Sequence, residues 1–327
     1  MTSGVEPIGA VRPGPRAAGS IGLHALAAAV MYVSPLLLFV PAAFISSGLR
    51  HGQRGLIGAI LGAAAILGAA TWLLGNGELP LFSGVLRLVL TIGLPAGIAT
   101  MMIRRSRSAG AILLAALAMS VGGFVLIEGL MRAVASFSPY ATLVSEFEAA
   151  SAPTIEFYRQ AGLSPSTLEA MQRFSDGLVA HFVPAVLIII TAMMFLFSMI
   201  MVPRLPWGRA AAPELLFRSF ALPDLFLLAF VLGGLSPLAE GAVRTAGWNL
   251  LVVVGFLYLI QGLAIYRAVV LRFGFGVAGN VTAWVLLIIL FLNGIGPFLL
   301  FLAGLFDPFF DFRKFKRKGE SDESNSD

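Results

Sequence analysis

Cysteine is absent from this sequence of 327 residues. Its absence excludes a disulfide framework, a thiolate nucleophile and any metal site with cysteine ligands. Charged residues are also scarce: they make up 12% of the chain, and a soluble domain carries roughly twice that fraction. The chain therefore does not have the composition of a soluble globular protein.

Catalytic sequence patterns are missing as well. The three histidines, His24, His51 and His181, lie far apart in the sequence, and it contains no HExxH, GxSxG or Walker pattern. Metal-dependent and hydrolytic chemistry are therefore disfavoured, and we expect neither an enzyme nor a bound cofactor. The hypothesis of an intramembrane enzyme lacks a set of residues to support it.

Apolar residues dominate the sequence. They form 58% of the chain, and the mean hydropathy is +0.91. We therefore expect an all-α protein, a polytopic transmembrane helix bundle of about eight spans in contact with the lipid bilayer. The net charge of +5 does not indicate a nucleic-acid partner, because the basic residues form short clusters between apolar segments and at the C-terminus.

Eight apolar segments predict these spans: 21–47, 55–74, 81–103, 109–135, 179–202, 222–240, 245–271 and 277–306. Pro35 and Pro41 interrupt the first of them, and the sequence NGIGP at 293–297 interrupts the last. We predict that these two segments are broken and fold back as hairpins, which is tolerated where protein or a cavity surrounds the backbone. A simple kink is the alternative.

Polar stretches predict the domain limits and the topology. We expect a disordered cytoplasmic N-terminus at 1–20, a transmembrane domain at 21–306 and a basic, then polar, cytoplasmic tail at 307–327. Basic clusters at 50–54, 104–107, 203–218 and 267–272 predict cytoplasmic loops, and hence both termini in the cytoplasm of a bacterial inner-membrane protein.

One long polar segment, 138–177, interrupts the apolar pattern. It carries five carboxylates and two arginines, so we expect an external loop of two or three short amphipathic helices. Ser166 and Glu169 have the spacing of a capping box, which predicts that one of these helices starts there.

The segment 245–271 holds the principal candidate site. Gln261 lies in the middle of this apolar helix, where a buried amide needs partners from other helices or from a ligand. Tyr258 and Asn249 lie on the same helix, and Gly255 and Gly262 share a face on which a neighbouring helix could approach closely. Two interpretations stay open: an interhelical hydrogen bond, or a ligand cavity in which Gln261 orients the ligand.

Other polar residues lie inside or at the edges of spans. Glu128 and Arg132 are four residues apart, so they share a helix face and can pair. The pair is either interfacial or, if it lies deeper, part of a site. Arg87 and Asn293 are the remaining polar residues of this kind, and we include Asn293 among the candidate ligand-binding residues.

Small residues predict where helices pack. Gly58, Gly62, Ala65 and Ala69 form a stripe on one face of the second apolar segment. Ala25 and Ala29 give an AxxxA pattern on the first segment, but alanine is so common there that this match is weak.

Several stretches, taken in order, resemble the YybS-like family of predicted bacterial multi-pass membrane proteins, whose function is unknown. They are PLLLFVPAAFISSGLRHG at 35–52, GLSPSTLEAM at 162–171, VPAVLIIITAMMFLF at 183–197, FALPD at 220–224, YLIQGLAIYR at 258–267 and GLFDPFFDFRK at 304–314. The resemblance implies a distant similarity to the substrate-binding S components of energy-coupling-factor vitamin transporters, although this chain is longer and has a large external loop. It implies no catalytic residues.

Two functional hypotheses follow. The first is an integral membrane protein that binds a small molecule or takes part in transport, with an energy-coupling protein as partner. The second is a non-transporting envelope protein that recruits protein partners through the external loop or the tail. A polar cavity near Gln261 would favour the first hypothesis, and a bundle filled by apolar side chains would favour the second.

Overall fold

The computed structural model describes residues 15–74, 79–204, 217, 220–310 and 312. Helices account for 90% of these residues, and none of them lies in a strand, which confirms the all-α prediction. The described helices are α1 Pro15–Tyr32, α2 Val40–Leu74, α3 Leu79–Arg87, α4 Leu94–Arg104, α5 Ala109–Ala135, α6 Pro139–Gln160, α7 Pro165–Met201, α8 Leu225–Gly234, α9 Gly241–Arg272, α10 Val277–Leu292 and α11 Ile295–Phe310.

Five stretches of the described residues are long and apolar enough to cross a membrane: Pro35–Leu73, Ser83–Arg104, Ala109–Ala135, His181–Arg204 and Gly241–Arg272. The bent pair α10 and α11 would be a sixth, and Ala18–Tyr32 and Leu225–Leu238 are shorter apolar helices. A multi-pass membrane protein is therefore confirmed, with five or six candidate spans. The eight apolar segments expected from the sequence include these two shorter helices. At 1.5 Å per residue each is only about 21–23 Å long, which is shorter than a hydrocarbon core of about 30 Å, so they are not counted as candidate spans.

The chain divides into two compact units, which we describe separately. The first unit contains the described parts of Met1–Arg105, Ala115–Phe137 and Met193–Ala212. The second unit contains the described parts of Ser106–Leu114, Ser138–Ala192 and Pro213–Asp327.

In the first unit, the first apolar segment folds back on itself. A 3-10 turn, Pro35–Phe39, follows α1, and Ser34 caps it by accepting a hydrogen bond from the Leu36 N–H at 3.2 Å. The part of α2 before Gly52 then runs back to the start of α1, where His51 Nε2 lies 3.1 Å from Ser20 Oγ. The hairpin-like form predicted for 21–47 is confirmed.

Gly52 separates the two arms of α2. Its φ of 76° interrupts the helix and is a conformation that a residue without Cβ adopts without strain. The second arm carries the predicted small-residue stripe, and a Cβ at Gly62 would lie 2.9 Å from Ala25 Cβ on α1. A Cβ at Gly58 would lie 3.1 Å from Ile21, so the stripe packs against α1.

In the second unit, the last apolar segment is broken as predicted. α10 ends at Leu292, and α11 leaves it at an angle of 105°. Asn293 Nδ2 donates to the Ile289 carbonyl oxygen at 2.8 Å, and Gly294 turns the chain with a φ of 72°. A side-chain cap followed by a left-handed glycine is a common way to end a helix abruptly.

The acidic segment 138–177 contains two helices. Ser138 Oγ accepts from the Ala141 N–H at 3.1 Å and starts α6. The capping box expected at Ser166 and Glu169 is wrong, because α7 starts at Pro165 and Ser164 Oγ accepts from the Thr167 N–H at 3.3 Å. Proline is favoured at the first helical position, where its missing N–H has no partner to lose.

Two predicted limits also differ from the structure. α1 begins at Pro15, inside the segment 1–20 that we expected to be disordered, because proline and good helix formers open it. α7 continues from the acidic segment into the apolar one as a single helix, so its first half is not a separate short helix. Residues 1–14, 311 and 313–327, including most of the expected tail, lie outside the described residues.

Candidate functional site

Gln261 of α9 is buried, with 2% of its surface exposed, and its side chain forms hydrogen bonds with two other parts of the second unit. Its Oε1 accepts a hydrogen bond from the Leu222 N–H at 2.8 Å. Its Nε2 donates to Asp307 Oδ2 on α11 at 3.1 Å. We call these three residues the Gln261 cluster.

The position of Leu222 explains why it needs a side-chain partner. It precedes Pro223, and the residue before a proline is disfavoured in helical conformation; in the structure Leu222 lies outside any helix. An N–H group that is not bonded within a helix is tolerated at membrane depth only where protein or a water-filled cavity satisfies it. The Gln261 carboxamide supplies that partner.

Asp307 is the functional candidate that the sequence interpretation missed. Its side chain lies on α11 with 9% of the residue exposed. The signal was present, since Asp307 interrupts an apolar run and Pro308 follows it directly, and ionisable residues within spans are functional candidates by default. The sequence did not indicate which residue of α9 would meet it.

Glycine brings α9 and α11 into backbone contact next to the Gln261 cluster. A Cβ at Gly262 would overlap the Leu300 carbonyl oxygen, and a Cβ at Gly304 would overlap the Tyr258 carbonyl oxygen. Gly255 faces the same helix, although a Cβ there would lie 3.9 Å from Phe301. The close approach predicted for this face is therefore present at Gly262, where the partner helix is α11, whereas Gly255 makes an ordinary contact.

Tyr258 lies beside this contact. It is 1% exposed, and its ring packs edge to face against Phe230, with the ring centroids 6.1 Å apart. Phe230 in turn packs against Phe301 of α11 at 5.6 Å. Tyr258 thus belongs to an aromatic layer between α8, α9 and α11.

Asn249 occupies a different place on α9, about 18 Å of helical rise before Gln261. Its Oδ1 accepts from the Ala185 N–H at 2.8 Å, and its Nδ2 donates to the carbonyl oxygens of His181 at 2.5 Å and Thr245 at 2.8 Å. His181 and Ala185 are an i, i+4 pair around Pro184 of α7, and a proline inside a helix disturbs this ladder. Asn249 therefore bridges α7 at its proline.

We predict that Asn249→Leu destabilises the protein. The change removes the partner of the Ala185 N–H, and a buried donor left unsatisfied costs about 1–3 kcal/mol. Thermal unfolding in detergent measures the loss. Asn293→Leu is the matched control, because Asn293 is exposed and, among the residues that the structure describes, its side chain bonds only within its own turn. Equal unfolding temperatures for the two variants would contradict a bridging role.

The other candidate residues form contacts of their own, each within its own unit. Asn293 caps the end of α10, fourteen residues before Asp307. Glu128 and Arg132 pair as predicted in the first unit, with Glu128 Oε1 2.6 Å from Arg132 Nε and with side chains 17% and 61% exposed. An ion pair with one exposed partner contributes under about 1 kcal/mol to stability. Ligand binding by these residues stays a prediction.

Comparison with known proteins identifies one family. Residues 23–308 match the family described as "Predicted membrane protein (DUF2232)". No curated protein and no solved structure matches the chain. The match covers seven of the eight apolar segments in full and the first one from residue 23 onward.

Proposed function

We propose a function for this chain, which belongs to the DUF2232 family of predicted membrane proteins: it binds a small molecule within the membrane, directly or as part of a transport system. The observation that carries this proposal is the buried carboxylate of Asp307, which lies on the second arm of a broken apolar segment. It accepts a hydrogen bond from Gln261 of α9. Polar groups at interrupted helices form substrate and ion sites in many transporters.

The chemistry of the Gln261 cluster defines the class of ligand. A carboxylate and a carboxamide favour a ligand with a hydrogen-bond donor or a positive charge. The aromatic layer at Tyr258 and Phe230 would contact an apolar portion of the same ligand. We therefore propose a small amphipathic molecule with a donor or cationic group, and we propose neither an enzymatic activity nor a cofactor.

We include in this proposal the resemblance to the YybS-like family and to the S components of energy-coupling-factor transporters. If the protein works as such a component, an energy-coupling protein is its partner. Co-purification of an ATPase module with the full chain would support this part of the proposal.

An envelope scaffold that recruits a protein partner is the second candidate. Its support is the acidic segment 138–177, where two aromatic side chains, Phe157 and Phe174, are 66% and 68% exposed. Exposed aromatic residues are frequent at protein interfaces. This function predicts that deleting the segment abolishes partner binding and leaves ligand binding in the second unit unchanged.

We further propose that the protein lies in the bacterial cytoplasmic membrane with both termini in the cytoplasm and 138–177 outside. The prediction is alkaline phosphatase activity from a fusion at Gly162 and none from fusions at Pro206 or the C-terminus. Because positive charge in short loops sets orientation, activity at the C-terminus would contradict the proposed topology.

A ligand screen tests the proposed function. The full chain in detergent is screened for thermal stabilisation by small cationic and polar molecules, and hits are measured on Asp307→Asn. We expect this variant to weaken binding about tenfold or more, because a charge-assisted hydrogen bond is lost. Glu169→Gln, which neutralises an exposed carboxylate, is the control; equal affinity of both variants for every hit would reject the proposal.

A further inference from the structure

Arg87 in the first unit is a charged residue placed inside a candidate span. It is the fifth residue of Ser83–Arg104. Its Nε atom is buried and has no hydrogen-bond partner in the part of the chain that the structure describes. A buried donor of a charged group without an acceptor is costly, so this arrangement calls for a partner.

The backbone after Arg87 is a wide π-helical turn, Leu88–Gly93. Such turns are rare and occur frequently at functional sites. Helix α5 supports the turn, because Ser120 Oγ donates to the Thr91 carbonyl oxygen at 2.7 Å. Gly123 of α5 leaves room for the Leu90 carbonyl group, because a Cβ atom at Gly123 would lie only 2.5 Å from the Leu90 carbonyl oxygen. The neighbouring helix is thus shaped to hold the wide turn.

Two further hydrogen bonds fix the backbone on either side of Arg87. Thr91 Oγ1 donates to the Arg87 carbonyl oxygen at 2.8 Å. Tyr32 OH of α1 donates to the Gly84 carbonyl oxygen at 3.1 Å. Gly84, Arg87 and Thr91 have i, i+3 and i+7 spacing and share one face, so Arg87 lies on a fixed surface beside Tyr32.

The described part of the first unit offers few anions to Arg87. The sequence has no Asp or Glu between 79 and 127. Glu128 is the one carboxylate among the described residues of this unit, and it pairs with Arg132. An anion for Arg87 would therefore come from outside these residues.

We propose that Arg87 binds a phosphate group, supplied by a phospholipid headgroup or by a soluble phosphate. Arg87 lies four residues, or about 6 Å of helical rise, inside the end of its span, and a long arginine side chain at this depth reaches the headgroup level. The guanidinium group matches phosphate in a bidentate geometry. This site does not depend on the function proposed for the Gln261 cluster.

Two binding measurements on the delipidated full chain in detergent test this proposal. Native mass spectrometry measures retention of phosphatidylglycerol, and thermal shift measures stabilisation by inorganic phosphate. We expect Arg87→Gln to weaken one of the two by about tenfold, and Arg87→Lys to bind with intermediate affinity because lysine keeps the charge without the planar fork. Arg54→Gln, which removes an exposed arginine of the same unit, should bind like the wild type.

The outcomes separate the two sources of phosphate. A loss confined to phosphatidylglycerol identifies a lipid site, and a loss confined to inorganic phosphate identifies a site for a soluble ligand. Unchanged binding of both probes by Arg87→Gln, or an equal loss in Arg54→Gln, overturns the proposal. If Arg87→Gln does not fold, Arg87→Lys decides in its place, and wild-type affinity of that variant for both probes overturns the proposal.

A last variant excludes an internal ion pair. Glu78, nine residues before Arg87, lies outside the described residues. If Glu78→Gln lowers the unfolding temperature in the wild type but not in the Arg87→Gln background, the two residues pair with each other, and the phosphate site is rejected.

Discussion

Gly262→Ala is expected to separate α9 from α11 and to lower the free energy of unfolding by about 1–3 kcal/mol or more, the usual cost of overpacking. A Cβ at this position overlaps the Leu300 carbonyl oxygen. A backbone oxygen within a helix cannot rotate away as a side chain can, so the two helices must move. Gly304→Ala should have a similar effect, since its Cβ overlaps the Tyr258 carbonyl oxygen.

Gly255→Ala is the matched control for this prediction. It lies on the same face of α9, but its Cβ would make an ordinary contact with Phe301 at 3.9 Å. Replacing a helical glycine with alanine favours the helix by about 1 kcal/mol, so this variant should be as stable as the wild type or more stable. Thermal unfolding in detergent would contradict the packing model if all three variants behaved alike.

Gln261→Leu should be the second severe change. It leaves the Leu222 N–H without its acceptor, at a cost of about 1–3 kcal/mol, and removes a donor from the buried Asp307 carboxylate. We expect a lower unfolding temperature and less monodisperse protein. Gln160→Leu, which replaces an exposed amide of α6, is the control and should change stability little.

The same variant separates the two interpretations of Gln261. If the carboxamide only joins the elements of the Gln261 cluster, any ligand signal should fall in proportion to the amount of folded protein. If it also contacts a ligand, binding per folded molecule should fall further. A stability loss of about 0.6 kcal/mol or less, the average for interhelical hydrogen bonds in membranes, would mean that water or another group replaces the amide.

The position of the buried amide follows from the sequence, but its partners do not. A single amide in an apolar helix must be satisfied, so the burial of Gln261 followed from its surroundings in the sequence. Its partners, Leu222 and Asp307, lie 39 and 46 residues away, and no local pattern specifies contacts over such distances. Asn249 was likewise predicted to contact a ligand. In the structure its carboxamide instead forms hydrogen bonds with the backbone of α7 on both sides of Pro184.

The class of the protein was decided by composition, because so few charged residues can keep only a small surface in water. The breaks in the first and last apolar segments were also determined locally, by prolines and glycines that interrupt helical hydrogen bonding. Pairing between Glu128 and Arg132 depends only on their spacing of four residues along one helix.

Tertiary structure alone decided which helix faces meet. Gly262 could accept any close neighbour, and only folding brings Gly304 of α11 to it. The wide turn after Arg87 likewise has support from another helix, because Ser120 and Gly123 of α5 contact it. Helix formation depends on neighbours within about four residues, whereas the contacts that build both candidate sites join residues about thirty or more positions apart, and their free energy appears only when the helices pack.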